Sequence, residues 1–109
     1  MMKNTIQQFI KATNAFDVDA ALKLFAEDAV INDVSVGEKF RTQRGVRKYL
    51  EKFFVGYHTV TKLESVEMPD EHHAKAHVDF TGDFGHETGG LDFTFNDAGL
   101  IIAVNAYLD

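Results

Sequence analysis

The hydrophobic period of this chain changes near residue 57, and that change confines it to folds that pack helices against one sheet. Before it, apolar residues recur every three or four positions. Ile6, Phe9, Ile10 and Thr13 share one helical face, and Val46, Tyr49, Leu50, Phe53, Phe54 and Tyr57 share another. After it, they recur every second position. Ala74, Ala76, Val78 and Phe80 point one way and His73, Lys75, His77 and Asp79 the other, while Leu91, Phe93 and Phe95 oppose Asp92 and Thr94.

The patterns predict a first helix through Ile6–Thr13, a second over Val18–Ala26 capped by Asp17, a short strand over Ala29–Val34 and a polar loop over Ser35–Arg41. A third helix runs from a cap at Thr42 to Tyr57. Strands follow at His58–Met68, His73–Gly82, Thr88–Asn96 and Leu100–Leu108. Asn96-Asp97-Ala98-Gly99 ends in the glycine that a tight hairpin with a left-handed residue requires. Gly89-Gly90 marks a bulge that bends the sheet. This order is α+β. It predicts three N-terminal helices packed on a strongly curved, mainly antiparallel sheet, with a cone-shaped pocket between them.

At 109 residues the chain has the size of one domain, expected to span 1–109. The last predicted strand is apolar at nearly every position, which calls for cover on both faces. In so small a domain the outer cover is most economically a second copy, so a homodimer through the convex sheet face is expected, with Asn105 and Tyr107 on that face.

Composition narrows the chemistry. With no cysteine, thiol catalysis, iron–sulfur clusters and cysteine zinc sites are excluded. A net charge of -6 argues against nucleic acid as a partner. No apolar run approaches the ~20 residues a membrane span needs, and the expectation is a soluble, cytoplasmic protein. No phosphate-loop, dinucleotide, nucleophile-elbow or zinc-protease motif is present, and no cofactor is expected. His73, His77 and Asp79 share a strand face, but i and i+4 on a strand stand ~13 Å apart, too far to hold one metal ion. The His72-His73 doublet reads as solvated. Lys39, Arg41, Arg44, Arg47, Lys48 and Lys52 read as a solvated face paired with acids, or as an anion site at the start of helix three.

Three segments carry a resemblance over nearly the whole chain: the run from Asn14-Ala-Phe-Asp to Ala29-Val-Ile-Asn-Asp33, then Gly45-Val-Arg-Lys-Tyr-Leu50, then Phe93-Thr-Phe-Asn-Asp-Ala-Gly99 before the last apolar strand. In these the chain resembles the nuclear transport factor 2-like superfamily, and within it the SnoaL-like and ketosteroid isomerase-like proteins, with their cystatin-like fold. The resemblance implies that Asp33 occupies the position of the isomerases' proton-shuttling base. It also implies that their oxyanion donors fall on Phe9 and Leu91, and their supporting tyrosines on Phe25 and Leu50. The base is kept and the donors are replaced by carbon; one such donor is worth ~3–4 kcal/mol of barrier.

Asp33 shares a strand face with Ile31. Aimed into an apolar cavity it would be stripped of water, as suits a general base; alternatively it caps the following loop. The expected pocket is lined by Phe9, Phe25, Leu50, Phe54, Tyr57, Val78, Phe80, Leu91, Phe93 and Val104, and its ligand is a small hydrophobic molecule. The aromatic stripe of helix three reads as core, although Tyr49, Tyr57, His58 or a water could supply an oxyanion donor. Three functions compete: isomerase- or cyclase-like proton transfer on a carbonyl compound with Asp33 as base, non-catalytic binding of a hydrophobic ligand, and a dimeric interaction module with a vestigial pocket.

Overall fold

The structure, a computed structural model, describes residues 1–109. Helix α1 (Met2–Asn14) turns Ile6, Phe9, Ala12 and Thr13 inward. The Asp17 carboxylate caps α2 (Val18–Leu22) by accepting the Ala20 N–H at 3.1 Å. Strand β1 (Phe25–Asp33) comes next, then β2 (Glu38–Arg41) and helix α3 (Thr42–Leu50), which runs on into a π-helical turn over Glu51–Val55. Strands β3 (Val60–Asp70), β4 (His73–Gly82), β5 (Gly85–Phe95) and β6 (Ile101–Leu108) complete the chain.

The six strands form one mixed sheet in the order β2-β1-β6-β5-β4-β3. The β1–β6 pair is parallel and the other pairs are antiparallel. Inner-face residues of the sheet, among them Ala74, Ala76, Val78, Leu91, Phe93 and Val104, join Ile6, Phe9, Val46 and Leu50 of the helices in one hydrophobic cluster. No helix is long and apolar enough to cross a membrane.

Several boundaries differ from the sequence reading. Helix α2 ends at Leu22, and Phe25 and Ala26 open β1. Phe25 pairs with Ile101, and the register shifts before Val30, where Glu27 and Asp28 stand exposed. That irregularity breaks the strand alternation and made the segment look helical. The predicted loop holds β2, an edge strand in which only Phe40 is buried. Three charged residues among four hide its period, and charged edges discourage further pairing. Thr42 is the first helical residue, at φ 65, and Arg41 holds the cap position without a side-chain cap bond. Pro69 lies near the end of β3, an edge strand, where a missing N–H costs no ladder bond.

The Asn96–Gly99 turn closes as expected, with Gly99 at φ 82 and the Leu100 N–H donating to Asn96 Oδ1 at 2.9 Å. No bulge falls at Gly89-Gly90, because the register there is continuous on both sides. Instead Gly90 makes room: a Cβ there would overlap the end of the Tyr107 ring, which lies across it on the outer face. Gly90→Ala is therefore expected to displace that ring and cost ~1–3 kcal/mol. Most of the loss should vanish in a Tyr107→Ala background, and urea midpoints of the two variants and their combination would show it.

Candidate functional site

Asp33 ends β1 and is only 6% exposed. Its Oδ1 accepts the Ser35 N–H at 2.9 Å and the Ser35 hydroxyl at 2.5 Å. This is the loop cap that the sequence offered as one reading, reinforced by the Gly37 N–H donating to the Asp33 carbonyl at 2.9 Å. Its Oδ2 is held differently. The Tyr49 hydroxyl, reaching across from α3, donates to it at 2.5 Å. Tyr49 is buried, and burial together with the adjacent carboxylate pushes its hydroxyl pKa well above the ordinary tyrosine value of 10.0.

Both residues border a cavity of about 390 Å³, open to solvent, with fourteen lining residues. The end of α3 and its π turn supply one wall. An inserted residue widens this turn, and the Gly56 N–H closes it on the Glu51 carbonyl at 2.8 Å. Phe53 and Phe54, adjacent in sequence, both border the cavity, as does Tyr57. Thr59 also lines it, but its hydroxyl is committed to the Phe53 carbonyl at 2.7 Å. The opposite wall comes from Phe80, Phe84 and Glu87 and from Ala106 to Leu108. Four of the nine exposed large apolar residues in the chain, Val36, Tyr57, Phe84 and Leu108, lie around this cavity. They form a greasy collar at its mouth.

Of the residues expected to line a pocket, Phe54, Tyr57 and Phe80 border this cavity beside Asp33. Phe9, Phe25, Leu50, Val78, Leu91, Phe93 and Val104 do not; they are buried in the hydrophobic cluster. Phe9 shows why. Its ring meets those of Phe25, Phe54 and Phe93 edge-on at centroid distances of 5.9, 6.1 and 5.6 Å, which fills the space between helices and sheet. The open volume is displaced toward the C-terminal end of β1. Residues there that the sequence reading did not assign to the pocket include Ser35, Val36, Phe84 and Glu87. They sit in loops or at strand ends, where periodicity is silent.

The histidines do not converge on a common site. His73 pairs with Asp70, His77 with Glu67 and His86 with Asp79. His58 Nδ1 pairs with Asp83 at 2.9 Å on the surface and does not line the cavity, which removes it as an oxyanion donor. In the basic cluster, Arg47 binds Asp19 at 2.6 Å and lies 3.9 Å from Glu51, and Lys52 covers the Phe53 ring at 5.3 Å. None of the six cations lines the cavity.

A family model described as SnoaL-like domain matches residues 6–104. No curated protein matches the chain by sequence. Several solved structures share its fold. RV0760c from Mycobacterium tuberculosis, solved in complex with estradiol-17beta-hemisuccinate, superposes with a TM-score of 0.84 at 19% identity, covering 96% of this chain and 91% of that one. The epoxide hydrolase/cyclase-like enzyme SalBIII, described in pyran ring formation in polyether salinomycin, gives 0.87 at 17% identity, with coverage of 99% and 90%. A protein of unknown function with a cystatin-like fold from Methylobium petroleophilum gives 0.86 at 17% identity, with coverage of 98% and 74%. At these identities the likeness is one of fold.

Proposed function

The chain belongs to the SnoaL-like domain family, and from that premise we propose that a single domain spanning residues 1–109 takes a small hydrophobic carbonyl compound into a cone-shaped pocket and shifts a proton on it, with Asp33 as base. The bonding of Asp33 supports this reading best. A carboxylate offers about four lone-pair directions. The Ser35 N–H, the Ser35 hydroxyl and the Tyr49 hydroxyl take three, which leaves one for a C–H proton of a ligand in the bordering cavity. The same three donors fix the carboxylate in place, as a catalytic group requires.

In this mechanism Asp33 removes a proton from the carbon beside the carbonyl, the electron pair moves onto the carbonyl oxygen, and the proton returns to another carbon of the same molecule. Tyr49 positions the base but has no proton to spare for the enolate oxygen. Phe9 and Leu91 offer only carbon. Tyr57, at the rim, carries the hydroxyl available to that oxygen.

The test is deuterium uptake from D2O into the carbon-bound protons next to the carbonyl of small cyclic ketones, followed by NMR. Asp33→Asn is expected to slow it by about 10²–10⁴-fold, the usual worth of a positioned base. Undiminished exchange in the variant would overturn the assignment. The carbon at Phe9 and Leu91 favours a second reading, non-catalytic binding; ketones would then raise the melting temperature of wild type and Asp33→Asn alike, with no exchange in either.

The same reading has the protein acting in the cytoplasm as a homodimer through the outer sheet face.

A further inference from the structure

We infer that the cavity selects an organic cation, a hydrophobic ligand carrying a protonated amine, over neutral and anionic ligands of the same shape. This rests on the reading that the cavity is a ligand site and adds the charge that the ligand carries. Three observations point the same way. First, the walls carry two carboxylates, Asp33 and Glu87, and no lysine, arginine or histidine. Glu87 pairs across the sheet with Phe80 and so shares the inner face with Leu91 and Phe93. It forms no salt bridge within the chain, whereas Asp79, on the neighbouring strand, binds His86 at 2.8 Å.

Second, the lining is aromatic. From buried Tyr49 one arm runs through Phe53 and Tyr57 to Phe84 at the mouth, with centroid separations of 5.0, 6.0 and 6.2 Å. Another runs through Phe54 to Phe80, at 6.1 and 6.4 Å. Aromatic faces carry negative potential and attract an ammonium group that has shed its water. Third, one of these rings already does so, because Lys52 Nζ stands over Phe53 from outside the lining. Rings lining one cavity with a carboxylate that forms no salt bridge suit a cation with an apolar body, which the exposed collar of Val36 and Leu108 would cover. A carboxylate ligand would meet two like charges and no donor cation.

The test uses three molecules of one shape, phenylbutylamine, phenylbutanol and phenylbutyrate, titrated calorimetrically at neutral pH. The ammonium is expected to bind about tenfold tighter than the alcohol, the fold-change expected of a cation over desolvated aromatic faces, and the carboxylate weakest of the three. Glu87→Gln, at an exposed position, should shrink the ammonium-to-alcohol ratio. Equal binding of ammonium and alcohol would overturn the inference and leave the ligand site standing. Absence of binding by all three would overturn both.

Discussion

Phe9→Ala is expected to lower the unfolding free energy by ~3–5 kcal/mol, a large part of the ~5–15 kcal/mol a domain of this size commands. Phe9 is 2% exposed and meets three rings at once. Removing it opens a void that α1 cannot close without sliding along the sheet. A urea melt would read the effect as a lowered midpoint, and Phe9→Leu, which leaves a smaller void, should lose less than Phe9→Ala. The same packing predicts the outcome of placing a phenol at this position. Phe9→Tyr would bury a hydroxyl among Phe25, Phe54 and Phe93 and should destabilise by ~1–3 kcal/mol, because no acceptor is offered there. A Phe9→Tyr variant as stable as wild type would mean that polar space reaches deeper into the core than this packing allows. A usable hydroxyl at this position is thus not one substitution away; the room it needs is occupied.

Tyr49→Phe is the second large effect, and it acts on both stability and pH dependence. The variant leaves Asp33 Oδ2 without its donor at a buried site, which should cost ~1.5–3 kcal/mol. Its pH signature separates it from a packing defect. The Tyr49 hydroxyl ionises well above the ordinary 10.0 when folded, so the folded state holds that proton more tightly than the unfolded one. The resulting stability is fully present below the unfolded value and is lost as pH rises from there toward the folded value, by up to ~1.4 kcal/mol per pH unit. Denaturation followed across the alkaline range should show this steepening in wild type and less of it in Tyr49→Phe. Asp33→Asn should blunt it as well, because the carboxylate is one cause of the shift. If the double variant loses as much as the two single variants added together, the pair is not coupled.

The sequence made the large elements legible and the cavity only in part. Strand β4 was readable to its ends, because Ala74, Ala76, Val78 and Phe80 alternate without interruption against charged neighbours. The inward face of α1 and the Asp17 cap were equally plain. Strand β2 was not, since an edge strand with one buried residue has no period to detect. The π turn was invisible too, because the insertion changes which faces Phe53 and Tyr57 present without changing their types.

Asp33 stood out as a carboxylate on an apolar strand face, but its partner was read as core. Helical spacing alone explains Tyr49, and spacing cannot say where a hydroxyl goes. A signal was nevertheless present. Tyr49 is a phenol within a stripe of Phe53 and Phe54, and a buried phenol needs an acceptor. Asp33 was the buried acid on the strand beneath. The expected pocket residues fell mostly in the core because the large side chains at Phe9, Phe25 and Phe93 fill the inner end of the fold, and a position in a pattern does not record the volume of its neighbours.

The parallel pairing of β1 with β6 also governs how the molecule comes together. Ile31 lies beside Val104 and Asp33 beside Ala106, although about 70 residues separate each pair. The wall built from Ala106 to Leu108 and the carboxylate it faces are therefore brought together by the most distant strand pairing in the sheet. Such distant pairings slow the search for the native state, whereas the β3–β4 and β4–β5 hairpins need only short closures. The meander can assemble early around its own turns, but the chamber beside Asp33 has no floor until β6 docks against β1. An intermediate lacking that dock would display Phe53, Phe54 and Phe80 to any other unfinished chain. For this protein, the step that completes the site is also the step that ends its exposure to aggregation.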